Sequence, residues 1–111
     1  MVSAKAEVAL LIDILDQAFD RPAWHGTNLR GSLRGLKLHE LVWRPSPGRH
    51  NIWETSLHTA YWKYIVYRRL VGAKKGSFPR KPSDWPSLPT SVSLGNWKAD
   101  LQLLVEQHCL L

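Results

Sequence analysis

Asn51-Ile52-Trp53-Glu54-Thr55-Ser56-Leu57-His58-Thr59-Ala60-Tyr61-Trp62-Lys63-Tyr64-Ile65-Val66-Tyr67-Arg68-Arg69-Leu70 is the stretch on which the fold turns. Trp53, Leu57, Ala60, Tyr61, Tyr64 and Ile65 follow a helical period, so one face is apolar. Asn51 with Glu54 three residues on makes a variant capping box at the start. Arg68 and Arg69 sit in the last turn, where positive charge suits the helix dipole, and Gly72 is a natural stop. The spacing predicts a helix of about five turns over 51–70.

Working toward the N-terminus, 22–48 is less regular. Leu29, Leu33 and Leu36 fit a short helix behind Thr27, and His39 to Trp43 fit one more turn. Arg44-Pro45-Ser46-Pro47-Gly48 then breaks any helix. Before this connection, Val8, Leu11, Ile12, Leu15, Ala18 and Phe19 recur at steps of three and four, with Lys5, Asp13, Asp16 and Asp20 on the other face. Ser3 is a plausible N-cap and Arg21-Pro22 a stop, which predicts a helix over 3–19.

Toward the C-terminus, 74–89 holds four of the seven prolines and lacks strand alternation. It reads as a long crossover at 73–90, anchored by Phe78 and Trp85. Thr90 or Ser91 then opens a last helix in which Trp97, Leu101, Leu104, His108 and Leu111 share a face. No repeat, low-complexity segment or credible strand is present. The expectation is an all-α bundle of three long helices in a single domain, 1–111.

Composition limits the function classes. The chain has 111 residues, which suits one domain able to bury about two-thirds of its surface. No apolar run approaches the ~20 residues of a membrane span, and the first residues lack a signal-peptide pattern. Cys109 is the one cysteine, which excludes an internal disulfide, a thiolate zinc cluster and a Cys-x-x-Cys pair. A cytoplasmic protein is expected. Six tryptophans and a net charge of +6 raise a nucleic-acid reading through phosphate contact and stacking. The basic residues concentrate in the connections, however, and no helix-turn-helix pattern is present, so solvated charge is the preferred account and nucleic acid the lesser one.

Five histidines, His25, His39, His50, His58 and His108, are the candidates for chemistry. No two lie at i, i+4 on a helix to clasp a metal, and no hydrolase or phosphate-loop motif occurs. His58 lies mid-helix beside Tyr61 and Trp62, where the commoner role is a hydrogen-bonded core residue. His25 follows Trp24 and precedes Gly26, in a turn that could close over a pocket. His108 shares the apolar face of the last helix. His39 and His50 read as surface loop residues, and Cys109 lacks the electropositive setting of a nucleophile.

Several of these segments together resemble the DinB-like superfamily. They are 23–29 with Trp24-His25-Gly26, 43–54 with Trp43-Arg44-Pro45 and Asn51-Ile52-Trp53-Glu54, and Leu57-His58-Thr59-Ala60-Tyr61-Trp62-Lys63. The Phe78-Pro79 and Trp85-Pro86 loop and the Trp97-Lys98-Ala99-Asp100 helix start follow in the same order. The resemblance, which spans nearly the whole chain, implies a four-helix bundle of a damage-inducible family, up-down with a long proline-rich crossover. Many members are dimeric and hold a divalent metal on three histidines. One of these matches His58; the other two normally come from a His-x-x-x-His pattern on a fourth helix, and the sequence ends before one. The resemblance therefore implies a zinc or nickel site centred on His58, incomplete in this sequence, with His25, Tyr61 and Trp62 lining its cavity and a small-molecule or thiol substrate.

Three functional expectations result. The first is a metal-binding protein of the thiol-dependent transferase-like class, its activity impaired by the absent helix. The second is a non-catalytic bundle that self-associates, and the third is the nucleic-acid binder. Apolar faces left by a missing helix also predict a symmetric homodimer through the first or third long helix, with Leu104 and Leu111 as contact candidates.

Overall fold

The computed structural model describes residues 3–21, 28–72, 78–82, 84–89 and 91–110. Five helices occur in order: α1 (Ala4–Phe19), α2 (Leu29–Ser32), α3 (Leu38–Leu41), α4 (Ile52–Leu70) and α5 (Leu94–Leu110). Among the described residues there is no strand. The three long helices fall where the periodicity puts them. The chain divides into two compact units, Met1–Leu36 and Lys37–Leu111.

In the first unit Ser3 caps α1, its hydroxyl accepting the Ala6 N–H at 3.2 Å. Asn28 does two jobs. Its Oδ1 accepts the Gly31 N–H at 2.8 Å to start α2, and its Nδ2 donates to the Arg21 carbonyl at 2.8 Å, tying α2 to the end of α1. Phe19 and Leu33 are buried. The rest of the apolar face of α1 is not: Val8, Leu10, Leu11, Ile12, Ile14 and Leu15 are each between 46% and 61% exposed.

The second unit is built on α4 and α5. Short α3 buries Leu41, and a Pro47-Gly48 turn follows, closed by the Arg49 N–H on the Ser46 carbonyl at 3.1 Å. Gly48 has φ +82°, the left-handed value that this turn requires and a side chain would resist. The capping box at α4 is reciprocal: Asn51 Oδ1 accepts the Glu54 N–H at 2.8 Å, and a Glu54 oxygen accepts the Asn51 N–H at 3.1 Å. Gly72, at φ +73°, ends the helix region. At α5 the hydroxyl that starts the helix is Ser93, which accepts the Asn96 N–H at 3.2 Å. Ser91 does not take that place, and Thr90 lies outside the described residues; Ser93 stands three residues before Asn96, the spacing a cap needs.

Trp53, Leu57 and Leu104 are fully buried and Trp97 nearly so, with the two indoles edge to face at 5.5 Å and 67°. Trp53 Nε1 donates to Asp100 at 2.9 Å, and ten residues further along α4 Lys63 Nζ donates to His108 Nδ1 at 3.0 Å. Both pairings advance together, so α4 and α5 run parallel rather than as an up-down pair. The long connection between them is what permits this. Phe78 is buried with its ring edge-on to Tyr61 at 5.6 Å, as the anchor reading requires. Arg80 Nη1 reaches both Asp100 oxygens, at 2.5 and 2.6 Å, and its Nη2 donates to the Ser87 carbonyl at 2.6 Å. Leu104 is core and cannot be an intersubunit contact, because it is one of the residues that close the second unit; Leu111 lies outside the described residues.

Candidate functional site

His58 projects from the middle of α4 and meets the Pro-rich crossover. Its Nδ1 lies 2.5 Å from the Asp84 carbonyl oxygen and 3.2 Å from the Asp84 carboxylate. A carbonyl only accepts, so Nδ1 carries the proton and donates it. In the neutral ring Nε2 is then the lone-pair nitrogen, open to a proton, a hydrogen-bond donor or a metal. The Asp84 carboxylate also accepts from Trp62 Nε1 at 3.1 Å, so one loop residue orients two α4 side chains.

Trp85 completes the arrangement. Its indole lies flat on the His58 imidazole at 3.7 Å and 5°, and flat on the His50 imidazole at 3.6 Å and 4°. Two rings that close and that parallel cannot share one face of an indole, so Trp85 is held between them. His50, read as a plain loop residue, is thus a stacking partner. Only the fold brings 50, 58 and 85 together.

Beside this stack a groove of about 320 Å³ runs along α4, lined by His58, Thr59, Trp62, Lys63 and Val66. These positions share one helical face. The groove offers an imidazole, a hydroxyl, an indole and an aliphatic surface to a small ligand. Of the residues expected at the site, His58 and Trp62 come together here. Tyr61 packs edge-on against Phe78 instead, and His25 lies outside the described residues.

Among the described residues no three His, Cys, Asp or Glu side chains gather around a point where an ion could sit. His58 and Asp84 are the two donors on hand, and the Asp84 carboxylate is already engaged. His108 is buried on α5 and accepts from Lys63, itself one of the residues lining the groove. The described donors do not make a three-histidine centre.

Three arginines of the described residues are held in ion pairs. Arg44 is bound to Glu54, and its guanidinium also donates to the Arg49 carbonyl at 2.7 Å, pinning the 43–50 loop on the start of α4. The bond to Glu54 raises the Arg44 pKa further. Burial alone would push the Glu54 carboxyl up, but the Arg44 guanidinium and the Asn51 N–H outweigh it and hold that carboxyl below its usual range. Arg80 is paired with Asp100, and Arg30 with Asp20 at 3.8 Å. No described helix is long and apolar enough to cross a membrane.

No curated protein and no solved structure matches the chain. A family profile described as the DinB superfamily matches residues 9–110, from α1 to the end of α5. That span takes in most of α1, the four later helices and the whole His58 groove. The chain belongs to the DinB superfamily.

Proposed function

We propose that the chain binds a small molecule in the α4 groove at His58, with imidazole Nε2 as the recognising atom and a thiol as the ligand class. One observation carries this: Asp84 fixes the proton on Nδ1, which keeps Nε2 as an acceptor beside an apolar groove. A thiol offers a proton to Nε2 and an aliphatic body to Trp62 and Val66. The ring does not have to reorient to receive it, so no orientational entropy is lost at that nitrogen. The transferase-like chemistry of the family's thiol-dependent members is the activity this binding would serve.

A second reading, a zinc or nickel ion on the same nitrogen, is favoured by the same anchoring. Metal-binding imidazoles commonly donate their other N–H to a carbonyl or carboxylate. The described residues supply too few donors for a tetrahedral site, so the remaining ligands would have to come from outside them.

One titration tests both. Histidine-labelled protein is followed by NMR while low-molecular-weight thiols, then zinc or nickel alone, are added. The thiol reading expects a saturable shift at His58 with a parallel change in Trp62 emission, lost in His58→Gln. A shift produced by metal alone favours the second reading. An unchanged His58 signal in every arm overturns both.

A further inference from the structure

We propose that Lys63 makes the α4 groove selective for thiols that also carry a carboxylate, which lies at the Lys63 edge while the sulfur lies at His58. This rests on the thiol reading of His58 and names the second half of the ligand. A cation stands in the wall of a groove whose other lining is an imidazole, a hydroxyl, an indole and an isopropyl group.

Helix geometry sets the two ends apart. His58 and Lys63 are five residues apart on α4, which is about 7.5 Å along the axis and about 140° around it. Thr59, Trp62 and Val66 fall within that arc, so they make the floor and the two polar residues make opposite edges. A ligand that touches both edges is several bonds long, polar at each end and apolar between.

Each edge is held by a different element. His58 is held from the crossover by Asp84 and Trp85. Lys63 is half-buried and held from α5, where its Nζ donates to Nδ1 of the buried His108 at 3.0 Å. A ring that accepts at Nδ1 is neutral, so this bond fixes where the ammonium sits without cancelling its charge. A lysine side chain placed in advance loses less rotamer freedom on binding an anion.

Charge also fixes which end goes where. The Asp84 carboxylate lies at the His58 edge, 3.2 Å from Nδ1, and repels a second carboxylate there. Lys63 attracts one at the other edge, so orientation comes from exclusion as well as attraction. One ammonium matches one negative charge, which favours a carboxylate over a doubly charged phosphate.

The His58 titration, run on the full chain with three thiols of matched chain length, tests this. The three are mercaptobutyrate, its methyl ester and the corresponding aminothiol. Mercaptobutyrate should bind about tenfold more tightly than the ester, and the aminothiol more weakly still. Added salt should weaken mercaptobutyrate and leave the ester unchanged. Lys63→Met keeps the aliphatic stem and should bring mercaptobutyrate down to the affinity of the ester, whereas Lys63→Arg should keep the preference. Equal binding of the three thiols by the parent, or a preference that survives Lys63→Met, overturns the proposal and leaves the thiol reading standing. The parent decides the first of these whether or not the variant folds. A His58 signal that no thiol moves overturns the thiol reading itself, and the proposal with it.

Discussion

At the scale of single residues, Glu54 has the most demands on it. One carboxylate accepts the Asn51 N–H, binds Arg44 and lies 3.7 Å from His50. Its carboxyl ionises below the ordinary value of 4.5, so the folded state favours the charged form. The stability this contributes is complete above the unfolded carboxyl's pKa and is lost as pH falls through the lower folded value. Glu54→Gln keeps an acceptor for the cap but loses the charge. It should cost about 1 kcal/mol at neutral pH by urea unfolding, in line with cap and charge-assisted bonds. The gap should close in acid, where the parent carboxyl is also neutral; a gap that persisted there would place the cost in packing. Asn51 and Glu54 were legible in the sequence because a capping box is local. The Arg44 and His50 contacts were not, since the Pro47-Gly48 turn that folds them back carries no sign of which side chains it will bring together.

Among the elements, the proline-rich crossover is fastened to the second unit through Phe78 in the core, Arg80 on Asp100, Asp84 on His58 and Trp62, and Trp85 between His50 and His58. Phe78 and Trp85 could be named as anchors from the sequence because they are the large aromatic residues in a stretch that cannot be helix. Their partners could not, because stacking joins positions decades apart in the chain. Trp85→Ala removes the stack while the α4 and α5 core stays whole. Ring stacking is worth about 0.5–1.5 kcal/mol beyond the area it buries. Amide exchange at Asp84, Trp85, Ser87 and Leu88 should therefore quicken about tenfold, with α4 and α5 protection unchanged. Uniform quickening across α4 would mean that the crossover supports the whole unit.

For the whole molecule, burial sets Leu104 and Leu11 at opposite extremes with different physics. Leu104 is fully buried in the second unit, so Leu104→Ala leaves a cavity and should cost about 2–5 kcal/mol at any protein concentration. Leu11 is 59% exposed, so Leu11→Ala should shift the midpoint of a dilute sample by less than about 0.5 kcal/mol. Thermal or urea melts at matched low concentration separate the two. An equal loss from both would mean that α1 belongs to the folded core. Hydrophobic periodicity marks Leu11 and Leu104 alike as facing something apolar. It cannot say whether that surface belongs to the same chain, because the pattern encodes the face and not its occupant.

The meeting of Trp53 and Trp97 has an optical consequence. Two indoles at 5.5 Å, with planes inclined by 67°, form a chiral pair of coupled transition dipoles. Such a pair adds a two-signed band to the far-ultraviolet circular dichroism, on top of the helical signal. Helix content read from ellipticity alone is therefore misjudged for this chain. The same band is a tag-free optical marker of the α4–α5 contact, for it vanishes when those helices separate even if each keeps its backbone.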